Sequence, residues 1–247
     1  MRYFIQLSFD GTDYHGWQIQ KNAHSVQAEL NAALNTVLRQ PVETTGCGRT
    51  DTGVHAREFF VHFDYESDAL NLEDALHQLN CILPKDISLQ KIYPLHAKAH
   101  ARYDASSRTY EYHLHKLKDP FQNHYSAFYP YDLDADKMNE LSSVLMEYND
   151  FSCFSKTGTQ NLTNICKITS ANWKSDNGNT VFTISADRFL RNMVRAIVGT
   201  LVQAGRGKLS EEQFRKILNS KDRKEAGFSV PAEGLSLVRV IYPYLIP

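Results

Sequence analysis

Ser107-Arg108-Thr109-Tyr110-Glu111-Tyr112-His113-Leu114-His115-Lys116 alternates its side chains as a strand does. Arg108, Tyr110, Tyr112, Leu114 and Lys116 share one face, and Thr109, Glu111, His113 and His115 share the other. The place of this stretch in the chain decides the fold, because it opens a second series of elements after a first has been completed. In the first series Arg2 to Asp10 alternates in the same way, with Tyr3, Ile5, Leu7 and Phe9 on one side, and ends at the turn residues Asp10-Gly11-Thr12-Asp13. Ser25 is placed to cap a helix in which Val26, Leu30, Ala33, Leu34 and Val37 keep helical spacing until Pro41 stops it. Strands are expected at Val42 to Gly46 and Glu58 to Tyr65, a helix over Leu72 to Leu83, and a strand over Ile87 to Tyr93.

The order of that first series is βαββαβ. The second repeats it: the strand at Ser107 to Lys116, a helix over Ala135 to Met146, strands at Ile165 to Trp173 and Thr180 to Ala186, a helix over Phe189 to Ala204, and a strand at Leu235 to Tyr242. A short extra helix, Glu211 to Leu218, interrupts it. The expected fold class is α+β, two tandem ferredoxin-like halves with largely antiparallel sheets and a central cleft, divided as 1–104 and 105–247.

Composition is compatible with that size of fold. The 247 residues are 42% hydrophobic and 22% charged, which excludes a disordered, collagenous or coiled-coil chain. A chain of this length buries about 70% of the surface it exposes when unfolded. Cys47, Cys81, Cys153 and Cys166 have no CxxC spacing and are too few for a disulfide framework, so they are expected as reduced thiols. The amino terminus reaches Asp10 before any apolar run of signal-peptide length, and no stretch approaches the ~20 apolar residues of a membrane span. A soluble, cytoplasmic protein without membrane partners is expected.

The formal net charge is -1, but the charge is unevenly placed. Residues 186 to 224 hold ten basic and four acidic side chains, while residues 64 to 86 hold six acidic side chains (Asp64, Glu66, Asp68, Glu73, Asp74, Asp86) and one lysine. Such segregation lets a neutral protein grip RNA, and it equally describes the solvated faces of two amphipathic helices.

Three stretches carry candidate chemistry. Gly46 to Ala56 packs three glycines, Arg49 and Asp51 into one short connection, where a carboxylate held ionised by an arginine can act as nucleophile or base. Read alone, Asp51-Thr52-Gly53 is more simply a β-turn. The face bearing Arg108, Tyr110 and Tyr112 suits base stacking beside phosphate, worth about 1 to 3 kcal/mol per base, or else is an aromatic stripe turned to the core. Arg188, Arg191 and Arg195 fall at i, i+3 and i+7 on one expected helix face, which suits anions, although a solvated face is the commoner explanation. Gly199 in mid-helix points to close packing. All ten histidines precede residue 125, and His113 and His115 have no further ligand at metal-site spacing. Neither GxxxxGK[ST] nor GxGxxG is present after a strand, so no metal and no nucleotide cofactor is expected.

Taken together, the motifs resemble the TruA-type tRNA pseudouridine synthase family from about Tyr3 to Pro243. The resemblance is carried by Phe9-Asp10-Gly11-Thr12 with Tyr14, Gly16-Trp17-Gln18 and Ser25-Val26-Gln27, and by Gly48-Arg49-Thr50-Asp51-Thr52-Gly53-Val54-His55-Ala56. It continues in Ala101-Arg102-Tyr103, Arg108-Thr109-Tyr110-Glu111-Tyr112, Asn149-Asp150-Phe151, Met193-Val194-Arg195 with Ile197-Val198-Gly199, and Pro231-Ala232-Glu233-Gly234-Leu235. Thr52, Ala99 and Val230 depart from the family pattern beside matched residues.

The resemblance implies an isomerase that converts uridine to pseudouridine at positions 38, 39 and 40 of the tRNA anticodon stem-loop, acting on a flipped-out base as a homodimer with no cofactor. It implies Asp51 as the essential carboxylate, attacking ribose C1′ or taking a proton from C2′. Arg195 would pair with Asp51, and Tyr110 would pack against the uracil and assist removal of its C5 proton. Arg49 would contact the flipped nucleotide's backbone or brace the Asp51 loop, and Arg102, Arg108 and Arg191 would contact the substrate. Two rivals come from other classes: a non-catalytic structured-RNA-binding module, and a hydrolase built on Asp51 and His55.

Overall fold

In the first series of elements, alternation places Tyr3, Ile5, Leu7 and Phe9 inside, and the strands are buried on both faces over part of their length. The computed structural model describes residues 1–66, 70–156, 158 and 163–245; Asp68 of the acidic run lies outside them. In chain order the elements are β1 (Arg2–Phe9), α1 (Val26–Leu38), β2 (Thr45–Gly46), β3 (His55–Asp64), α2 (Leu72–Ile82), β4 (Ile87–Leu95), β5 (Ser107–His115), β6 (Ala127–Phe128), α3 (Ala135–Val144), β7 (Ile168–Asp176), β8 (Asn179–Ala186), α4 (Met193–Gly205), α5 (Glu211–Ser220) and β9 (Leu235–Ile241). The protein is thus mixed α/β, with five α-helices among the described residues and mostly antiparallel strand pairing. Its contacts divide it into two compact units, Met1–Ser106 with Leu237–Pro247, and Ser107–Ser236.

In the first unit β1 lies between β4 and β3, antiparallel to both, with β2 pairing β3 and β9 following β3 on its other side. Tyr3, Ile5, Leu7 and Phe9 are all buried, as alternation requires, and Phe4 is buried as well. Phe59 of β3 joins Phe9 and Trp17 with ring centroids 5.4 and 4.5 Å away, a cluster in which each pair contributes about 0.5 to 1.5 kcal/mol beyond area burial. At the far end of β1 the Arg2 guanidinium grips Asp64 and the Ala99 carbonyl.

In the second unit the strand order is β5-β8-β7, antiparallel throughout, with the short β6 parallel to β5. Trp173 stacks on Phe182, centroids 4.6 Å apart, and is tied to α3 because Asn139 exchanges two hydrogen bonds with its backbone. The helix α4 is buried on nearly every side, as a mean composition of Met, Val, Ala, Ile, Gly and Leu permits.

Several expected boundaries move, for identifiable reasons. The strand expected over Val42 to Gly46 shrinks to Thr45–Gly46, because the Val42 and Thr44 amides donate to the side-chain carbonyls of Asn35 and Asn31 in α1. The helix expected from Phe189 begins only at Met193, since Asn192 sits in the left-handed region at φ 66°. Arg188 and Arg191 therefore precede the helix, and the single three-arginine face read from the sequence does not form. The strand expected from Ile165 starts at Ile168, the Cys166 amide being taken by the Asn149 carbonyl.

Candidate active site

Asp51 lies on the connection between β2 and β3, half-buried, with Thr50 buried behind it and Arg49 and Thr52 exposed beside it. A turn closes this connection: the Val54 amide donates to the Asp51 carbonyl at 3.1 Å with Gly53 at φ 77°. The plain turn reading is therefore correct for the backbone. What the turn reading omits is how firmly the turn is held. The Gly53 amide donates to the Tyr14 carbonyl at 3.3 Å, and the Trp17 amide donates to Thr50 Oγ1 at 3.1 Å. At Gly16, whose φ is 87°, a Cβ would stand 2.3 Å from the Thr50 carbonyl oxygen, so residues 15–17 press directly on the backbone next to Asp51. Tyr14 in turn donates its hydroxyl to Asp86 at 2.7 Å, and burial together with that carboxylate raises its phenol pKa. An aspartate on a backbone fixed from two sides loses little freedom when it meets a substrate.

His55 is 4% exposed, with Nδ1 3.0 Å from both the Gly11 amide and an Asp10 carboxylate oxygen. It braces the scaffold beneath the loop. That placement weakens the hydrolase reading, which needs His55 at the surface with Asp51. Arg102 is also in this unit, exposed on the turn after β4, with its amide on His100 Nδ1 at 3.1 Å and its guanidinium 5.8 Å from the Tyr103 ring centre.

The other candidates belong to the second unit. Tyr110 is half-buried in the middle of β5, its ring edge-on to Phe189 with centroids 5.2 Å apart. Tyr112 and Leu114 on the same face are buried, and the Tyr112 hydroxyl donates to the Pro231 carbonyl at 2.8 Å. This face is a core stripe over most of its length, which corrects the stacking surface as far as Tyr112 is concerned. Arg108 is 9% exposed, and its Nη1 donates to the Asp187 carbonyl at 2.7 Å. Arg191 is exposed just before α4, while Arg195 is half-buried in its first turn. The Arg195 Nε donates to the Val230 carbonyl at 2.7 Å, and the Val230 amide returns a bond to the Arg195 carbonyl at 3.2 Å.

Sequence reading finds Arg49 with Asp51 on one loop and Arg108 with Tyr110 on one strand, and the structure keeps both pairs. Three supports escape it: the Thr50 hydroxyl, the Tyr14–Asp86 bond across 72 residues, and residues 226–230 lying along α4. Gly199 was their one local signal, because a Cβ there would fall 1.7 Å from the Phe228 carbonyl oxygen.

Among the described residues no three His, Cys, Asp or Glu side chains are grouped to hold a metal ion, and no helix is long and apolar enough to cross a membrane. The first unit thus carries a half-buried aspartate on a braced loop, and the second carries arginines and a tyrosine on strand and helix. The chain belongs to the tRNA pseudouridine synthase family, whose model matches residues 6–104 and 148–243. It is 52% identical over 243 residues to the tRNA pseudouridine synthase A of Bacteroides fragilis, covering 98% of this chain and 96% of that one. It is 49% identical over 245 residues to that of Porphyromonas gingivalis, covering 98% and 97%, and 38% identical over 244 residues to that of Fervidobacterium nodosum, covering 98% and 99%. The enzyme is therefore an isomerase acting on tRNA.

Proposed function

We propose that the protein converts uridine to pseudouridine at positions 38, 39 and 40 of the tRNA anticodon stem-loop, with Asp51 as the essential carboxylate. The first unit contributes the Asp51 loop and the second the basic segment, each unit built around a ferredoxin-like half. The uridine is flipped out of the stem, at a cost of a few kcal/mol that stacking and cationic contacts offset. Asp51 acts at ribose C1′ or C2′ to release the N1 glycosidic bond. The base turns, C5 joins C1′, the C5 proton leaves and N1 gains one, so no oxidant or energy source is consumed.

Arg195 pairs with Asp51 and directs it through a charge-assisted bond. Tyr110 packs against the uracil and assists loss of the C5 proton, while Arg49, Arg102, Arg108 and Arg191 contact the nucleotide and its phosphates. The enzyme works in the cytoplasm as a homodimer and without a cofactor. The observation that carries this reading is the braced Asp51 loop: a bare surface turn would not need backbone pressed against it at Gly16 and Thr50.

Mapping of the product tests it. Incubation of the purified protein with unmodified tRNA transcripts is expected to place pseudouridine in the anticodon arm and to release no free uracil. Free uracil would establish the hydrolase instead, and bound but unmodified tRNA would establish the RNA-binding module.

A further inference from the structure

The Arg195 side chain is anchored at Nε by the Val230 carbonyl, so what holds Val230 also holds that anchor. Residues 226–230 lie in extended contact along α4 without forming a strand or helix of their own. The Gly227 amide donates to Thr200 Oγ1 at 2.8 Å, and the Phe228 carbonyl occupies the space a side chain at Gly199 would need. Arg223 gathers the same residues from the outside. Its Nη1 donates to the Gly227 carbonyl at 3.0 Å and the Ala226 carbonyl at 3.4 Å, and its Nη2 donates to Ser229 Oγ at 2.8 Å. Ser229 Oγ also accepts from the side-chain amide of Asn192, the left-handed residue that starts α4. The next residue is Val230, and the one after it, Pro231, accepts the Tyr112 hydroxyl two positions along β5 from Tyr110.

We infer that Arg223 is a positioning residue for the isomerisation: by clamping residues 226–229 onto the start of α4 it fixes the Val230 carbonyl, and through it the plane of the Arg195 guanidinium. A guanidinium anchored at Nε has its fork direction set, so Nη1 and Nη2 meet a carboxylate end-on. A lapse of 1 Å in such a group is enough to lower a rate by orders of magnitude. This inference rests on the role of Arg195 proposed above.

The test uses the full-length protein and single and double variants, read as kcat and KM on tRNA well below the melting temperature. Arg223→Met is expected to lower kcat by about tenfold with KM within about twofold of the parent. Arg195→Lys is expected to lower kcat on its own. In the Arg195→Lys background Arg223→Met should change kcat by less than about twofold, because residues acting through one another are not additive. A structural role would leave the two losses additive, and an additive result overturns the inference. So does an unchanged kcat in Arg223→Met, or a raised KM alone, which would make Arg223 a tRNA-phosphate contact. Parent kcat in Arg195→Lys overturns the role of Arg195 itself, and the positioning inference with it. Should Arg223→Met fail to fold, Asn192→Gly keeps the left-handed start of α4, removes the bond to Ser229, and is expected to show the same non-additivity.

Discussion

Gly16 shows at the scale of one residue how packing serves chemistry. Gly16→Ala would put a methyl 2.3 Å from the Thr50 carbonyl oxygen at a φ that alanine resists, so the chain must move beside Asp51. Stability is expected to fall by about 1 to 3 kcal/mol in denaturant melts, and pseudouridine formation by more than the unfolded fraction explains. His62 supplies a second residue-scale prediction. It is buried, accepts the Ala101 amide at 3.1 Å on Nδ1, and has its pKa lowered to about 4, first by burial and then by the Arg2 charge and His100. An unfolded chain binds this proton near pH 6.5 and the folded one only near 4, so the His62 contribution is whole above pH 6.5 and is lost as pH falls towards 4. Thermal melts between pH 7 and pH 4.5 should show that loss, with a shallower slope in His62→Gln. The loop carrying Asp51 was legible because glycine, arginine and aspartate crowd into eleven residues. The bond from Tyr14 to Asp86 was not, because no local pattern links residues so far apart.

At the scale of elements, alternation reads well where strands pair with strands and fails where a side chain substitutes for a partner strand. Val42 to Thr44 has strand-like residues, yet Asn31 and Asn35 take its amides. The start of α4 failed for a different reason: Phe189, Leu190 and Arg191 fit helical spacing, and only the left-handed Asn192 breaks it. By contrast α5 was expected from Glu211, and Ser210 and Gln213 close a reciprocal capping box at that point. Ser210→Ala should cost about 0.5 to 2 kcal/mol of stability and leave kcat at the parent value, since α5 holds no residue of the proposed site. A melt and a rate measured on the same preparation check both parts.

At the scale of the whole molecule, the order of strands and helices was readable, whereas the return of Leu237–Pro247 to the first unit was not, because pairing at such separation leaves no periodic trace. The basic excess in residues 186 to 224 is partly taken up internally. Arg215 pairs with Glu147 and Glu211, Lys216 with Glu212, and Lys221 with Asp150. Affinity for tRNA should still fall steeply with salt, by about two orders of magnitude between 50 and 200 mM for roughly four phosphate contacts, as filter binding would report. A flat salt dependence would mean that the surface is not used for phosphate.

The most direct measurement is single-turnover pseudouridine formation by Asp51→Asn on a tRNA transcript, with binding of the same tRNA recorded alongside. Retained binding with a rate reduced by at least about a thousandfold is expected for an essential carboxylate. A variant that forms pseudouridine at the parent rate would show that the chemistry is carried elsewhere.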